Sequence, residues 1–159
     1  MTESLDPRHA ARAQQIAEAI WDKKGDDVVA RHVREIAQYT DDMIICTARS
    51  DRQAMAIADH VEEALRKQRG EKPIAVEGRR NGHWILLDYG DFVVHVFVRP
   101  VRAYYELDRL YADSPRIQLV EPQWLRDERP DPDAIYYSDD DWEVLPTAQE
   151  PQDTLDSLD

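Results

Sequence analysis

Apolar residues recur every three or four positions across Pro7 to Lys24, where Ala13, Ile16, Ala17 and Ile20 share one side of a helix. Lys23 and Lys24 occupy its last turn and Gly25 follows, so the pattern predicts a helix that stops at Gly25. Asp27 to Ile36 is rich in Val and Ile but broken by charges, which predicts a strand with one solvated side, and a second strand is expected from Met43 to Thr47. Ser50-Asp51-Arg52-Gln53 has the form of a capping box, in which the hydroxyl accepts from an early amide and the Gln53 side chain reaches back to the cap. A helix therefore starts at Asp51, carries the stripe Ala54, Ile57, Ala58, Val61 and Leu65, and ends near Gly70.

Three strands are expected next, at Ile74 to Glu77, His83 to Asp88 and Phe92 to Val98, separated by the turn signals Asn81-Gly82 and Tyr89-Gly90-Asp91. Links this short demand antiparallel neighbours, whereas the helix between Thr47 and Ile74 permits a crossover. The expected fold is a single α/β domain with a mixed sheet flanked by helices. A final helix is expected from Pro100 to Tyr111, stopped by Asp113-Ser114-Pro115.

Strand alternation gives this sheet two apolar faces. Trp84, Leu86 and Asp88 point one way, and Ile85 and Leu87 the other; on the neighbouring strand Val93, His95 and Phe97 oppose Phe92, Val94, Val96 and Val98. Ile85 and Leu87 supply the expected core. If the helices leave the other face open, it becomes an apolar patch suited to a partner, with Trp84 as its anchor. Sequence alone leaves open which face is covered.

Charge divides the chain in two. Of the formal net charge of -13, residues 1–120 carry 20 acidic and 18 basic residues, whereas residues 121–159 carry 13 acidic and 2 basic. That second stretch also holds five of the nine prolines. It is expected to be a mobile acidic tail beyond one folded domain, because it cannot bury enough apolar surface to offset ordering entropy. Within it, Ile135, Tyr136, Tyr137, Trp142, Val144 and Leu145 flank Asp139 to Asp141 and could dock on a surface. With the charge resolved in this way, acidity does not argue against nucleic acid, but no basic patch interleaved with aromatics argues for it. No signal peptide or membrane span is recognisable, and the lone Cys46 cannot build a disulfide framework or a cysteine metal site by itself, so the expectation is a soluble, cytoplasmic protein.

Candidate chemistry is thin. Asp88, Asp91 and His95 are the types that ligate metals or transfer protons, but they fall at a strand end, in a turn and within the next strand, and need not converge. Asp88 and Asp91 are better explained as acceptors for turn amides around Gly90. His95 is either packed among Val93, Val94, Val96 and Phe97 or exposed on a binding face. Ser50 is explained as a helix cap and Cys46 as a small buried apolar residue. Five glycines include no dinucleotide-binding turn and no phosphate loop, and no cofactor is expected.

Thr40-Asp41-Asp42-Met43-Ile44-Ile45, Ser50-Asp51-Arg52-Gln53 and Ile57-Ala58-Asp59 are followed by Glu77-Gly78, Trp84, Leu87-Asp88-Tyr89-Gly90-Asp91, Val94-His95-Val96-Phe97, Arg102, Tyr104-Tyr105, Leu107 and Leu110. In this order and spacing the chain resembles the ribosomal silencing factor (Iojap-like) family from about Ala10 to Pro115. The resemblance implies a non-catalytic protein with a nucleotidyltransferase-like fold. It implies binding to the fourteenth protein of the large ribosomal subunit, which keeps the small subunit from joining and lowers translation when nutrients are short. Expected contact residues are Trp84 and Leu86, with Asp88, Asp91 and His95 at the polar margin and Arg102 and Tyr105 extending the surface; a homodimer through the same face is expected in the unbound state. Three features depart from the family pattern: the charged Ala30-Arg31-His32-Val33, Tyr111 where tryptophan is common, and the tail beyond Val120. The competing reading, a divergent nucleotidyltransferase, calls for a Gly-Ser pair opening a helix and an Asp-x-Asp on a strand. The chain has Ala48-Arg49-Ser50-Asp51 at that helix and no Asp-x-Asp on a core strand.

Overall fold

The structure is a computed structural model that describes residues 6–128. The expected docking segment from Ile135 to Leu145 lies outside the described residues. In chain order the elements are helix α1 (Pro7–Asp22), strand β1 (Asp26–His32), the short helix α2 (Arg34–Ala37), strand β2 (Asp42–Ala48), helix α3 (Asp51–Arg69), strands β3 (Ala75–Glu77), β4 (Trp84–Asp88) and β5 (Phe92–Val98), and helices α4 (Arg99–Tyr105), α5 (Leu107–Leu110) and α6 (Gln123–Glu128).

The sheet has the order β1-β2-β5-β4-β3. β2 runs parallel to β5, with Asp42 opposite Phe92 and Ala48 opposite Val98, and every residue of both strands is buried. That explains their unbroken apolar runs, since a central parallel pair is covered on both faces. The other pairings are antiparallel, so the sheet is mixed, as expected.

α1 and α3 cover one face. Ile16, Ile20, Ile57, Val61 and Leu65 pack there against Ile44, Ile85, Leu87, Phe92, Val94 and Val96. The start of α3 holds the two helices in place. Ser50 Oγ accepts from the Gln53 amide at 3.1 Å, and Gln53 Oε1 accepts from the Arg49 amide at 2.6 Å, one residue before the cap itself. Gln53 Nε2 then donates to the carbonyls of Lys23 and Lys24 at the end of α1, satisfying acceptors that a helix end leaves free.

Two expectations are corrected. The strand expected over Asp27 to Ile36 ends at His32, because the buried Val33 turns the chain by donating its amide to the Asp41 carbonyl at 2.7 Å, and Arg34–Ala37 coil into α2. The helix expected over Pro100 to Tyr111 is broken at Glu106, whose φ of 54° is left-handed, so that α5 starts in a new direction. Nor does order stop there. The His32 amide donates to the Pro115 carbonyl and the Ile117 amide to the Ala30 carbonyl, which lays residues 115–117 along β1 and buries Ile117. The stretch expected to be a tail opens with α6, where the Lys24 ammonium lies 4.7 Å from the Trp124 ring centre.

Gly78 sets the β3–β4 hairpin. Its φ is 82°, and a Cβ there would stand 1.8 Å from the Trp84 carbonyl oxygen. Gly70 also has a positive φ, of 66°, but a Cβ there would meet nothing within 4 Å. Gly70→Ala should therefore cost only the left-handed penalty of about 1 kcal/mol. Gly78→Ala adds a backbone collision and should cost at least about twice that. Urea unfolding of the two variants checks the ranking, and equal midpoints would contradict it.

Candidate docking face

The second face of the sheet is covered only in part. Val33, Met43, Ile45, Phe97, Val98, Val101 and Tyr111 form a smaller core there, over β1, β2 and the end of β5, and Ala37, Trp84, Tyr105 and Leu107 pack against its rim. Toward β4 and β3 the covering helices give out. Trp84, Leu86 and Asp88 are half-buried there, whereas Ile85 and Leu87 on the opposite side are fully buried. The expected alternation of β4 is thus observed, and among the described residues the face with Trp84 is the open one. From Trp84 to Asp88 the ridge extends about 13 Å at about 3.3 Å per residue.

Aromatic rings fix Trp84. Its ring centre lies 4.8 Å from that of Tyr105 and 4.8 Å from that of Phe97, where the rings stack, and Tyr104 meets Tyr105 edge-on at 5.0 Å. Tyr104 itself is 51% exposed and extends the aromatic surface outward. Beside Leu86, the register places Glu77 of β3 directly opposite, on the same face and exposed.

His95 is beneath this surface rather than at its margin. It is 5% exposed, and Trp84 Nε1–H donates to its Nδ1 at 3.0 Å. A ring that accepts at Nδ1 is neutral and carries its proton on Nε2, and that atom is buried without a partner among the described residues. Burial pulls the imidazole pKa down to about 4. His95 therefore orients the Trp84 indole from below.

Arg102 is occupied inside the fold. Nε and Nη2 make a paired contact with the Asp108 carboxylate at 3.0 and 2.9 Å, and Nη1 donates to Thr47 Oγ1 and to the Asp27 carbonyl, both at 2.7 Å. The guanidinium holds the Asp108 carboxyl below its usual pKa. Arg102 thus fastens α4 and α5 to the sheet. Asp88 Oδ1 accepts from the Gly90 amide at 2.8 Å, the turn role expected of it. Asp91 lies in the same turn, but its side chain pairs with Arg12 Nη1 at 2.8 Å.

Of the seven candidates, the structure brings Trp84, Leu86, Asp88 and Tyr105 to one open face, sets His95 under it, and turns Asp91 and Arg102 to other work. Tyr104 and Glu77, which carry the family resemblance but were not expected as contact residues, join the face. Pairing across β3 could have pointed to Glu77, but only once the register was known. Cys46 is wholly buried, which pushes its thiol up to about 12 and leaves it without nucleophilic character near neutral pH.

The sequence model of the family described as "ribosomal silencing factor during starvation" matches residues 6–142. The chain belongs to this family. It is 38% identical over 106 residues to a ribosomal silencing factor of Halalkalibacterium halodurans, covering 67% of this chain and 90% of that one. It is 36% identical over 103 residues to that of Bacillus subtilis, covering 65% of this chain and 86% of the other. A crystal structure of a Chromobacterium violaceum protein superposes with a TM-score of 0.61 at 30% identity, covering 75% of this chain and 92% of that one. Membership supports a non-enzymatic role in silencing ribosomes. No helix among the described residues is long and apolar enough to cross a membrane.

The neutrality of His95 generates a pH dependence. Its folded pKa lies below the ordinary value near 6.5, so between these values the unfolded chain binds more protons and stability falls as pH falls. The loss from this one group should approach about 3 kcal/mol by pH 4. His95→Phe keeps a ring but cannot titrate. The stability difference between wild type and variant, followed by urea unfolding from pH 7 to pH 4.5, should shift steadily against the wild type; a pH-independent difference would show that folding leaves the His95 pKa unchanged.

Proposed function

We propose that this protein binds the fourteenth protein of the large ribosomal subunit through the Trp84–Leu86 face and thereby prevents the small subunit from joining, lowering translation when nutrients are short. Membership in the ribosomal silencing factor family supports the ribosomal target. The observation that carries the surface is the half-buried Trp84, held by Tyr105, Phe97 and His95 beside a half-buried Leu86. A rigid aromatic with an adjoining aliphatic, rimmed by Asp88 and Glu77, fits an interface whose centre is apolar and whose margin is polar. The acidic rim suits a partner that presents lysine or arginine. The same face supports a homodimer of the unbound protein, which binding to the ribosome would displace, and the proposed compartment is the cytoplasm.

Co-sedimentation with purified large subunits tests the reading. Trp84→Ala should weaken binding by about 2 kcal/mol or more, as truncation of a central aromatic anchor does. Leu86→Asp, which places a charge on the open face without disturbing the rings around Trp84, should do the same. Glu63→Ala, on the far side of α3, serves as the control and should bind as the wild type does. If both face variants sediment with large subunits like the control, the surface assignment fails; if the wild type binds joined ribosomes as well as free large subunits, the subunit-joining role fails.

A further inference from the structure

At the opposite end of the sheet from Trp84, three elements bring side chains together around one buried carboxylate. Asp42, the first residue of β2, is 1% exposed. His9 Nδ1 in the first turn of α1 lies 2.7 Å from its Oδ2, and His32 Nδ1 at the end of β1 lies 2.8 Å from its Oδ1. The two rings meet edge to face with centres 5.6 Å apart. Arg12 Nη2 donates to Oδ2 at 3.0 Å while its Nη1 holds Asp91.

We propose that His9, His32 and Asp42 form a binding site for a divalent transition-metal ion, with zinc as the intended chemistry. The ligand atoms of the three residues all lie within 4.8 Å of one another. A tetrahedral zinc with bonds of about 2.0 Å needs its ligand atoms about 3.3 Å apart, so small rotations of the two half-buried imidazoles close the shell. Two imidazole nitrogens and one carboxylate oxygen favour zinc, cobalt or nickel over magnesium or calcium, which take oxygen ligands. Each imidazole moves its proton from Nδ1 to Nε2 and offers the freed lone pair to the metal; water fills the fourth position.

Charge points the same way. Among the described residues, Asp41, Asp42 and Asp91 are bonded to two guanidinium groups, those of Arg34 and Arg12. Counting these carboxylates and guanidinium groups alone, the five ionised side chains carry one uncompensated negative charge. Arg12 does not block the site, because its bond falls on Oδ2 and leaves Oδ1 for the metal, and a hydrogen bond to the second oxygen is how ligating carboxylates are usually held. Since residues 9, 32 and 42 come from α1, β1 and β2, a bound ion fastens the start of α1 to the two strands. The site stands apart from the docking face, so its existence does not depend on the ribosomal reading.

The test is titration of the untagged full chain with zinc sulfate by calorimetry, together with thermal unfolding and the visible absorption of the cobalt(II) form. The wild type should bind one zinc per chain, unfold at a higher temperature when loaded, and give cobalt bands of a nitrogen- and oxygen-ligated four-coordinate ion. His9→Gln and His32→Gln should each lower the affinity about tenfold or more, because each removes one of only three protein ligands. Circular dichroism of each variant, with Arg12 still paired to Asp42, confirms that the fold persists. Absence of zinc binding by the wild type, or binding that survives in the double variant and so belongs to acidic groups elsewhere, overturns the proposal.

Discussion

Everything in this fold is arranged around the parallel pairing of Asp42–Ala48 with Phe92–Val98. A parallel pair cannot be joined by a tight turn, so the chain between the strands must cross over one face of the sheet, and α3 does so. The return to β5 is made through the β3–β4 hairpin, which adds the two outer strands on one side. Because both central strands are buried on both faces, each face needs a cover. The long helices α1 and α3 complete one face, and only the short α2, α4 and α5 remain for the other.

That inequality of cover is what makes an open surface. Four- and seven-residue helices shield β1, β2 and the end of β5, but not the middle of β4. Trp84 bridges the boundary, with one side in the aromatic rim and the remainder exposed. A tryptophan in this position needs a partner for its N–H, and His95 provides it from within the sheet. The bond to Nδ1 fixes the imidazole as neutral and the indole in one orientation, at the cost of a buried Nε2–H with no acceptor among the described residues.

Periodic features of this fold were legible in the sequence, and features that depend on chain reversal were not. The stripe from Ala54 to Leu65 and the alternation of Trp84, Leu86 and Asp88 against Ile85 and Leu87 each follow from local geometry and appear where expected. The fate of His95 was undetermined because a histidine in a Val-rich strand reads the same whether it is buried or exposed; the Trp84 indole decides it. The left-handed Glu106 carries no glycine to announce it, and the strand-like contact of residues 115–117 with β1 is made of residues more than 80 positions apart. Likewise His9, His32 and Asp42 have no motif spacing, and only the packing of α1 against the ends of β1 and β2 assembles them.

The break at Glu106 ties these points together. A continuous helix from Arg99 to Tyr111 would be about 20 Å long and straight, at about 1.5 Å per residue. It would carry Leu107 and Tyr111 away from Val33, Met43 and Ile45, against which they are packed. Arg102 makes the bent path stable, since its guanidinium grips Asp108 on the far side of the break while reaching Thr47 of β2 and the Asp27 carbonyl of β1. The chain is thereby turned back toward β1, where residues 115–117 join it, and no later described element crosses β4. Arg102, expected to extend the docking surface, thus helps to hold the bent path that, among the described residues, leaves Trp84 and Leu86 only half-buried.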